Sequence, residues 1–417
     1  MEMNRRVFLA GAAAATAGLS FRAQGQDAPK TYRACIIGDS KQGGYGHDMH
    51  LAFDLHDRVQ VVGLADPDEE GRAKYGAECK ATTLYADYKE MLEKEKPDLV
   101  AVGPRWTVNH KEYLDACAAV GAHGFLEKPL CVDMAEADAM VAAVESKNLK
   151  WAVAYNFRQT ATLAHAKKCI VDDLLIGTVV EARSRGKEDG RAGAEDMIVL
   201  GTHLFDLMRY LMGDASWCQS DITHKGVTAT AADVREASEP LGPVVGNRIH
   251  ATFGFAKGTA GHFSSMFTKE QSGGRWGIDI YGTKGVISIK MDTFSRQPQP
   301  AVKPTREEVL NSIVPEVLWL DDSGWIPRTG ADGAVISAWK PLPEAPAIAI
   351  TDQKRDRHAP IVNDLIAAIE EDRLPATSLQ DSAKAQEMVQ AVFDAHVQGK
   401  RVALPLEKRE HPLKGWS

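Results

Sequence analysis

The stretch from Tyr32 to His50 constrains this chain more than any other. An apolar run, Ala34-Cys35-Ile36-Ile37, stops at Gly38 and gives way to a turn holding Gly43, Gly44 and Gly46. A strand, a glycine turn and then a segment capable of helix present backbone N–H groups to a phosphate. Glycine matters there because a side chain would keep the backbone from the pyrophosphate. Read as G-x-G-x-x-G, the pattern has Ser40 at its middle glycine, and a small hydroxyl still lets a phosphate approach. The competing reading is an ordinary strand-to-helix turn.

The same theme recurs down the next hundred residues or so. Val59 to Asp66 reads as a buried strand ending in a carboxylate able to accept both hydroxyls of a ribose, or else a turn aspartate in Ala-Asp-Pro-Asp. Asp98 to Val102 is a strand ending in Gly103-Pro104, with Arg105 and Trp106 beyond it. Asn109 to Val120 has helical spacing. His123 to Leu126 is a strand that runs into Glu127-Lys128-Pro129, and a helix capped by Asp133 extends to Ser146. Trp151 to Tyr155 is a further strand, followed by Asn156. Strands alternating with helices predict a doubly wound parallel sheet, whose ligands lie beyond the carboxyl ends of its strands. Gly38, Asp66, Pro104, Lys128 and Asn156 all hold that position.

The second half changes character. A helix is expected over Leu163 to Leu175 and another over Thr202 to Met212. Strands are expected over Thr178 to Arg185, Arg248 to Phe255, Gly261 to Met266 and Trp276 to Lys290, the last folded at Gly282-Thr283-Lys284-Gly285. This predicts an α+β domain with a large, mainly antiparallel open sheet. Residues 296–351 are proline-rich, with Trp319, Trp325 and Trp339, and read as a lid or subunit contact. Helices near Ala359 to Glu371 and Ser382 to Gln398 and a strand over Arg401 to Leu406 close the chain.

The N-terminus stands apart. Arg5-Arg6 precede Val7-Phe8-Leu9 and an alanine-rich apolar run to Leu19. That is the layout of an export signal of the twin-arginine kind, over residues 1–28, and it is shorter than the roughly 20 residues of a membrane span. An uncleaved anchor is the alternative. The expected place is therefore the periplasm or an equivalent exported site, with no stable membrane span after processing. The formal net charge of -8 argues against a nucleic-acid partner. Six scattered cysteines without a C-x-x-C give no zinc ribbon, and no metal site is expected.

Glu127-Lys128-Pro129 after a strand, the glycine turn, Gly201-Thr202-His203-Leu204-Phe205-Asp206 opening a helix, the Tyr281-to-Gly285 hairpin and Gly399-Lys400-Arg401-Val402 near the end together carry a resemblance. The chain resembles the Gfo/Idh/MocA oxidoreductases over about residues 31–406. The resemblance implies a Rossmann domain over 31–150 and an α+β substrate and oligomerisation domain over 151–417. NAD, or less readily NADP, would lie between them with a carbohydrate or polyol. It places Gly38, Ser40, Gly43, Asp66, Pro104, Arg105, Trp106, Glu127, Lys128 and Asn156 on the cofactor, and Arg158, Glu195, Asp196 and His203 on the substrate. Lys128 and His203 become the catalytic pair. An ammonium stabilises alkoxide character as hydride leaves, and an imidazole takes the hydroxyl proton. Trp106 is alternatively core, and Glu127 alternatively faces solvent.

One departure matters. Dehydrogenases of the family usually carry an aspartate four residues before the histidine, and here that residue is Val199. Glu195 or Asp196 would have to reach in. The departure keeps three readings open: a sugar oxidoreductase, a redox-neutral NAD-dependent glycoside hydrolase, lyase or epimerase, and a non-catalytic cofactor- or sugar-binding protein. The acidic Asp66 favours NAD, because it would repel a 2′-phosphate. A homodimer or homotetramer is expected from the open sheet.

Overall fold

The computed structural model describes residues 30–267, 276–291, 315–321, 328–329, 335–336, 339–345 and 357–417. Residues 1–29, where an export signal is expected, and most of the 296–351 segment, Trp325 included, lie outside them. No described helix is long and apolar enough to cross a membrane.

The first half is a six-stranded parallel sheet. Its strands are β1 (Tyr32–Ile37), β2 (Val59–Ala65), β3 (Thr83–Tyr85), β4 (Leu99–Val102), β5 (His123–Leu126) and β6 (Trp151–Val153), in the order β3-β2-β1-β4-β5-β6. Ala34 to Ile37 are fully buried because β1 is central and covered on both faces, which is why its sequence is apolar without alternation. Strand order reverses between β1 and β4, the switch point where such sheets open a crevice. The strand ends are tied in line. Gly38 N–H donates to the Ala65 carbonyl, Gly103 N–H to Ile37, Glu127 N–H to Val102 and Ala154 N–H to Leu126. The helix Met134–Glu145 starts where Asp133 accepts from the Glu136 N–H.

One expectation fails here. The segment after the glycine turn is not a regular helix. It makes turns and one short 3-10 element, Met49–Leu51. Gly43, Gly44, Gly46 and Asp48 all have positive φ, a run of left-handed residues that no helix tolerates. The β3 strand and the helices Glu69–Glu78 and Tyr88–Glu95, unremarked in the sequence, complete this half.

The second half is built on a mixed, mainly antiparallel sheet. Its described strands run in the order Lys340–Pro341, Glu316–Asp321, Gly285–Lys290, Gly277–Gly282, Val179–Arg185, Ala260–Met266, Arg248–Gly254, Trp217–His224 and Val402–Ala403. Among the pairings of these strands, only Val179–Arg185 with Ala260–Met266 is parallel. The predicted hairpin is present, with Gly282 opposite Gly285. Glu316–Asp321, expected to be irregular, is a strand paired with Gly285–Lys290. One face of the sheet packs on the helices Thr202–Met212 and Leu379–Gln398 through Leu204, Phe205, Phe253, Phe263, Val389 and Phe393. All six cysteines are free and buried.

Candidate active site

The site gathers where β5 ends beneath the helix Thr202–Met212. Lys128 and His203 are both almost wholly buried. The Lys128 Nζ donates to the Val199 carbonyl at 3.0 Å. Val199 lies in the π-helical turn Met197–Gly201, which leads directly into the helix carrying His203. Where the resemblance leads one to expect a carboxylate, the lysine is therefore held by a backbone oxygen. Burial lowers the Lys128 ammonium to about 8, opposed chiefly by the adjacent Glu127 charge. Burial, then the charges of Lys128 and His47, push His203 well below its ordinary value, so its ring is neutral. The ring is framed by Phe157 at 4.8 Å, Tyr155 at 5.6 Å and Trp276 at 6.1 Å between centroids. A neutral imidazole in an apolar frame, beside a buried ammonium, can accept a proton while the ammonium steadies an oxyanion.

Glu127 is fully buried, which removes the solvent-facing alternative. One carboxylate oxygen accepts from the Lys128 backbone N–H at 2.9 Å and the other pairs with His47 Nδ1. Sequence reasoning missed His47. Its signal was the left-handed Gly46 (φ 54°) just before it: a Cβ there would stand 2.6 Å from Glu127 Cγ.

Several expected site residues have other partners. Asp66 is completely buried, and its carboxylate accepts from Ser40 N–H (3.1 Å), Ser40 Oγ (2.5 Å), the Tyr45 hydroxyl (2.8 Å) and Asp68 N–H (2.9 Å). Its lone pairs are taken, so a ribose hydroxyl reaches it only by displacing one of these. Tyr45 also lies over Gly38, whose absent Cβ would fall 2.1 Å from the phenol ring. Ser40 is thus a ligand of Asp66 before it is anything to a phosphate. Arg158 is spent on the Ala376 carbonyl, Asp206 and Asp381. Glu195 pairs with Arg235 and Ser238. Asp196 accepts from Lys187 N–H, Glu188 N–H and Ser265 Oγ, clasping the Lys187–Glu188 backbone. Neither acid reaches Lys128, because each is already committed to neutralising or capping its own neighbourhood.

The remaining expected residues follow the ends of β1, β4 and β6. Gly43 packs on Arg105 and Trp106, where a Cβ would meet their backbone nitrogens at 2.9 and 3.1 Å. Pro104 is buried and its carbonyl accepts from His110. Arg105 is exposed and forks onto Glu239. The buried Asn156 Oδ1 has no partner among the described residues. That orphaned acceptor and the open space over Gly44 fit a dinucleotide's nicotinamide end. The ribose end fits only once the Ser40 and Tyr45 bonds to Asp66 are exchanged.

A parallel sheet with reversed strand order, joined to an open-sheet domain whose helix Thr202–Met212 brings a histidine near a strand-end lysine, defines a dinucleotide-dependent oxidoreductase architecture. Residues 33–155 match the oxidoreductase family, NAD-binding Rossmann fold, and residues 185–404 match its C-terminal alpha/beta domain. The chain belongs to the Gfo/Idh/MocA oxidoreductase family. It is 28% identical over 256 residues to levoglucosan dehydrogenase of Pseudarthrobacter phenanthrenivorans, covering 55% of this chain and 64% of that protein. It is 30% identical over 198 residues to D-apiose dehydrogenase of Paraburkholderia graminis, covering 45% and 51%. The matched region thus spans less than two thirds of each of these relatives. A solved structure of levoglucosan dehydrogenase with NADH and levoglucosan superposes with a TM-score of 0.64 at 20% identity, covering 90% of this chain and 100% of that one. At that identity the likeness speaks for the fold.

Proposed function

We propose that the protein is an exported NAD-dependent oxidoreductase that removes hydride from a CH–OH group of a carbohydrate or polyol. The observation that carries this is the buried Lys128 ammonium beside the neutral His203 ring at the strand end. Lys128 donates to the substrate oxygen and stabilises its alkoxide character, and His203 takes the hydroxyl proton. Phe157 and Trp276 pack edge to face and frame the His203 ring with apolar surface. The bound nicotinamide supplies the hydride acceptor. Gly43, Pro104, Arg105, Trp106 and Asn156 would hold it. The relatives named as levoglucosan and D-apiose dehydrogenases support a sugar substrate. Export rests on the Arg5-Arg6 segment, and NAD over NADP on the acidic Asp66 and Asp68 at the β2 end.

A second reading has its own observation. Lys128 is held by the Val199 carbonyl instead of a carboxylate, so the net redox step is less well supplied with charge. An exported enzyme also lacks a free pool of nicotinamide to recycle. Both favour a redox-neutral glycosidase, lyase or epimerase that keeps its NAD. Release and identification of the nucleotide carried by the purified protein, then incubation with sugars and aryl glycosides, separates the readings. NADH formed in proportion to sugar oxidised supports the first. Glycoside cleavage without net NADH supports the second. No nucleotide and no affinity for added NAD or NADP sinks both.

A further inference from the structure

We propose that His47 is a positioning residue of this site, holding the Glu127 carboxylate as the buried counter-charge of Lys128 in the role that Val199 leaves vacant. The inference deepens the oxidoreductase reading and rests on it.

Lys128 is a buried cation in need of a counter-charge. Among the described residues no carboxylate lies within ion-pair distance of its Nζ, which rests on the Val199 carbonyl. The charges that act on it are Glu127, Arg191, Glu239 and Arg105, while the His203 ring near it is neutral. Arg191 is tied to Asp189 and Arg105 to Glu239, so those pairs largely cancel. Glu127 is the charge that acts on it most strongly, and its sign opposes the loss of the ammonium. A fully buried carboxylate keeps its charge only if it is hydrogen-bonded. Burial opposes ionisation of Glu127, and His47 and Lys128 overcome it, holding the carboxyl well below the usual range. Arg357 also faces it, with Asp48 facing Arg357 in turn.

The backbone is arranged to deliver His47. Gly46 is left-handed and presses against Glu127, where any other residue would collide. On the far side the His47 carbonyl accepts from His358 Nε2 at 2.6 Å. Burial pushes His358 down to about 4, so it is a neutral donor with one tautomer fixed. Thus a buried histidine from the C-terminal half clamps the loop whose own histidine clamps Glu127. The His47 side chain stays nearly half exposed, which a purely packed residue at this depth would not be. The glycine turn therefore contributes a functional side chain to the catalytic end of the crevice, besides any contact with phosphate.

The test reads Lys128 directly in the full-length protein. Lysine-labelled protein (13C at Cε) is titrated by NMR, with the Lys128 signal assigned by its loss in Lys128→Met. Glu127→Gln and His47→Leu each lower the Lys128 midpoint by roughly 1 pH unit, the first by removing the charge and the second by letting the unpartnered carboxyl take a proton. His47→Gln keeps a donor and leaves the midpoint near its native value. The alkaline limb of kcat for sugar oxidation follows the same order. If His47→Leu does not fold, His47→Ser, too short to reach the carboxylate, takes its place. A midpoint unmoved in folded His47→Leu or His47→Ser overturns the inference, as does a His47→Gln that behaves like the leucine variant. If the midpoints shift but no sugar is oxidised, the charge coupling stands and the oxidoreductase reading is what fails.

Discussion

Lys128 carries its chemistry in a depressed ionisation. Its ammonium is lowered to about 8, so it is charged below that pH and neutral above it. If the ammonium steadies the developing alkoxide, kcat falls as pH rises through about 8, and His203, already neutral, imposes no acid limb near neutrality. Lys128→Ala is expected to lower kcat by about 10²–10³-fold, the usual effect of removing one transition-state donor. Steady-state rates over a pH series check both, and an alanine variant with native kcat would refute the role. The local pattern places Lys128 at a strand end and His203 at a helix start, and only the resemblance singled them out as a pair; the structure buries both. The fate of Arg158 was not legible. Its partner Asp381 lies 223 residues along the chain, and no local pattern tells that a guanidinium will be consumed so far away.

The glycine turn shows how an element can be read for the right place and the wrong work. Its glycines were visible, and so was the acid at the β2 end. That the turn would coil through four positive-φ residues instead of entering a helix follows from Tyr45, Ser40 and Asp66 closing on one another, a contact made between two strands' ends. Asp66 acts first as the pin of this turn. Tyr45→Phe removes one donor to a buried carboxylate and is expected to cost about 1.5–3 kcal/mol of stability, the range for hydrogen bonds to charged groups. The shift of the urea midpoint measures it. An unchanged midpoint would show that the phenol does not hold the turn.

At the scale of the molecule, alternation of strand and helix sufficed for the parallel sheet, and period-two patterning for most of the open sheet. The strand Trp217–His224 escaped notice because its residues Gln219, Ser220, Asp221 and Thr223 are polar and its helix-facing side is set by distant packing on Leu379–Gln398. That helix is what joins the two halves. Gln386 and Gln390 donate to the Cys131 and Val132 carbonyls at 3.0 and 2.9 Å, beyond the lysine strand, while Asp381 at its first turn binds both Arg158 and Arg209. The two guanidiniums are nearly buried and Asp381 is the one acid they share, with Asp206 and Asp214 as their other partners. Asp381→Ala therefore strands two buried cations across the join. Allowing for the part of Asp381 that remains in water, the loss is about 2–3 kcal/mol. Because the helix belongs to both cores, that loss should appear as one transition shifted down in temperature, with the sheets still melting together. Calorimetry of the variant decides it. Two separated transitions would show that the halves are held together elsewhere, and an unshifted melt that the Arg158–Asp381–Arg209 cluster contributes nothing to the join.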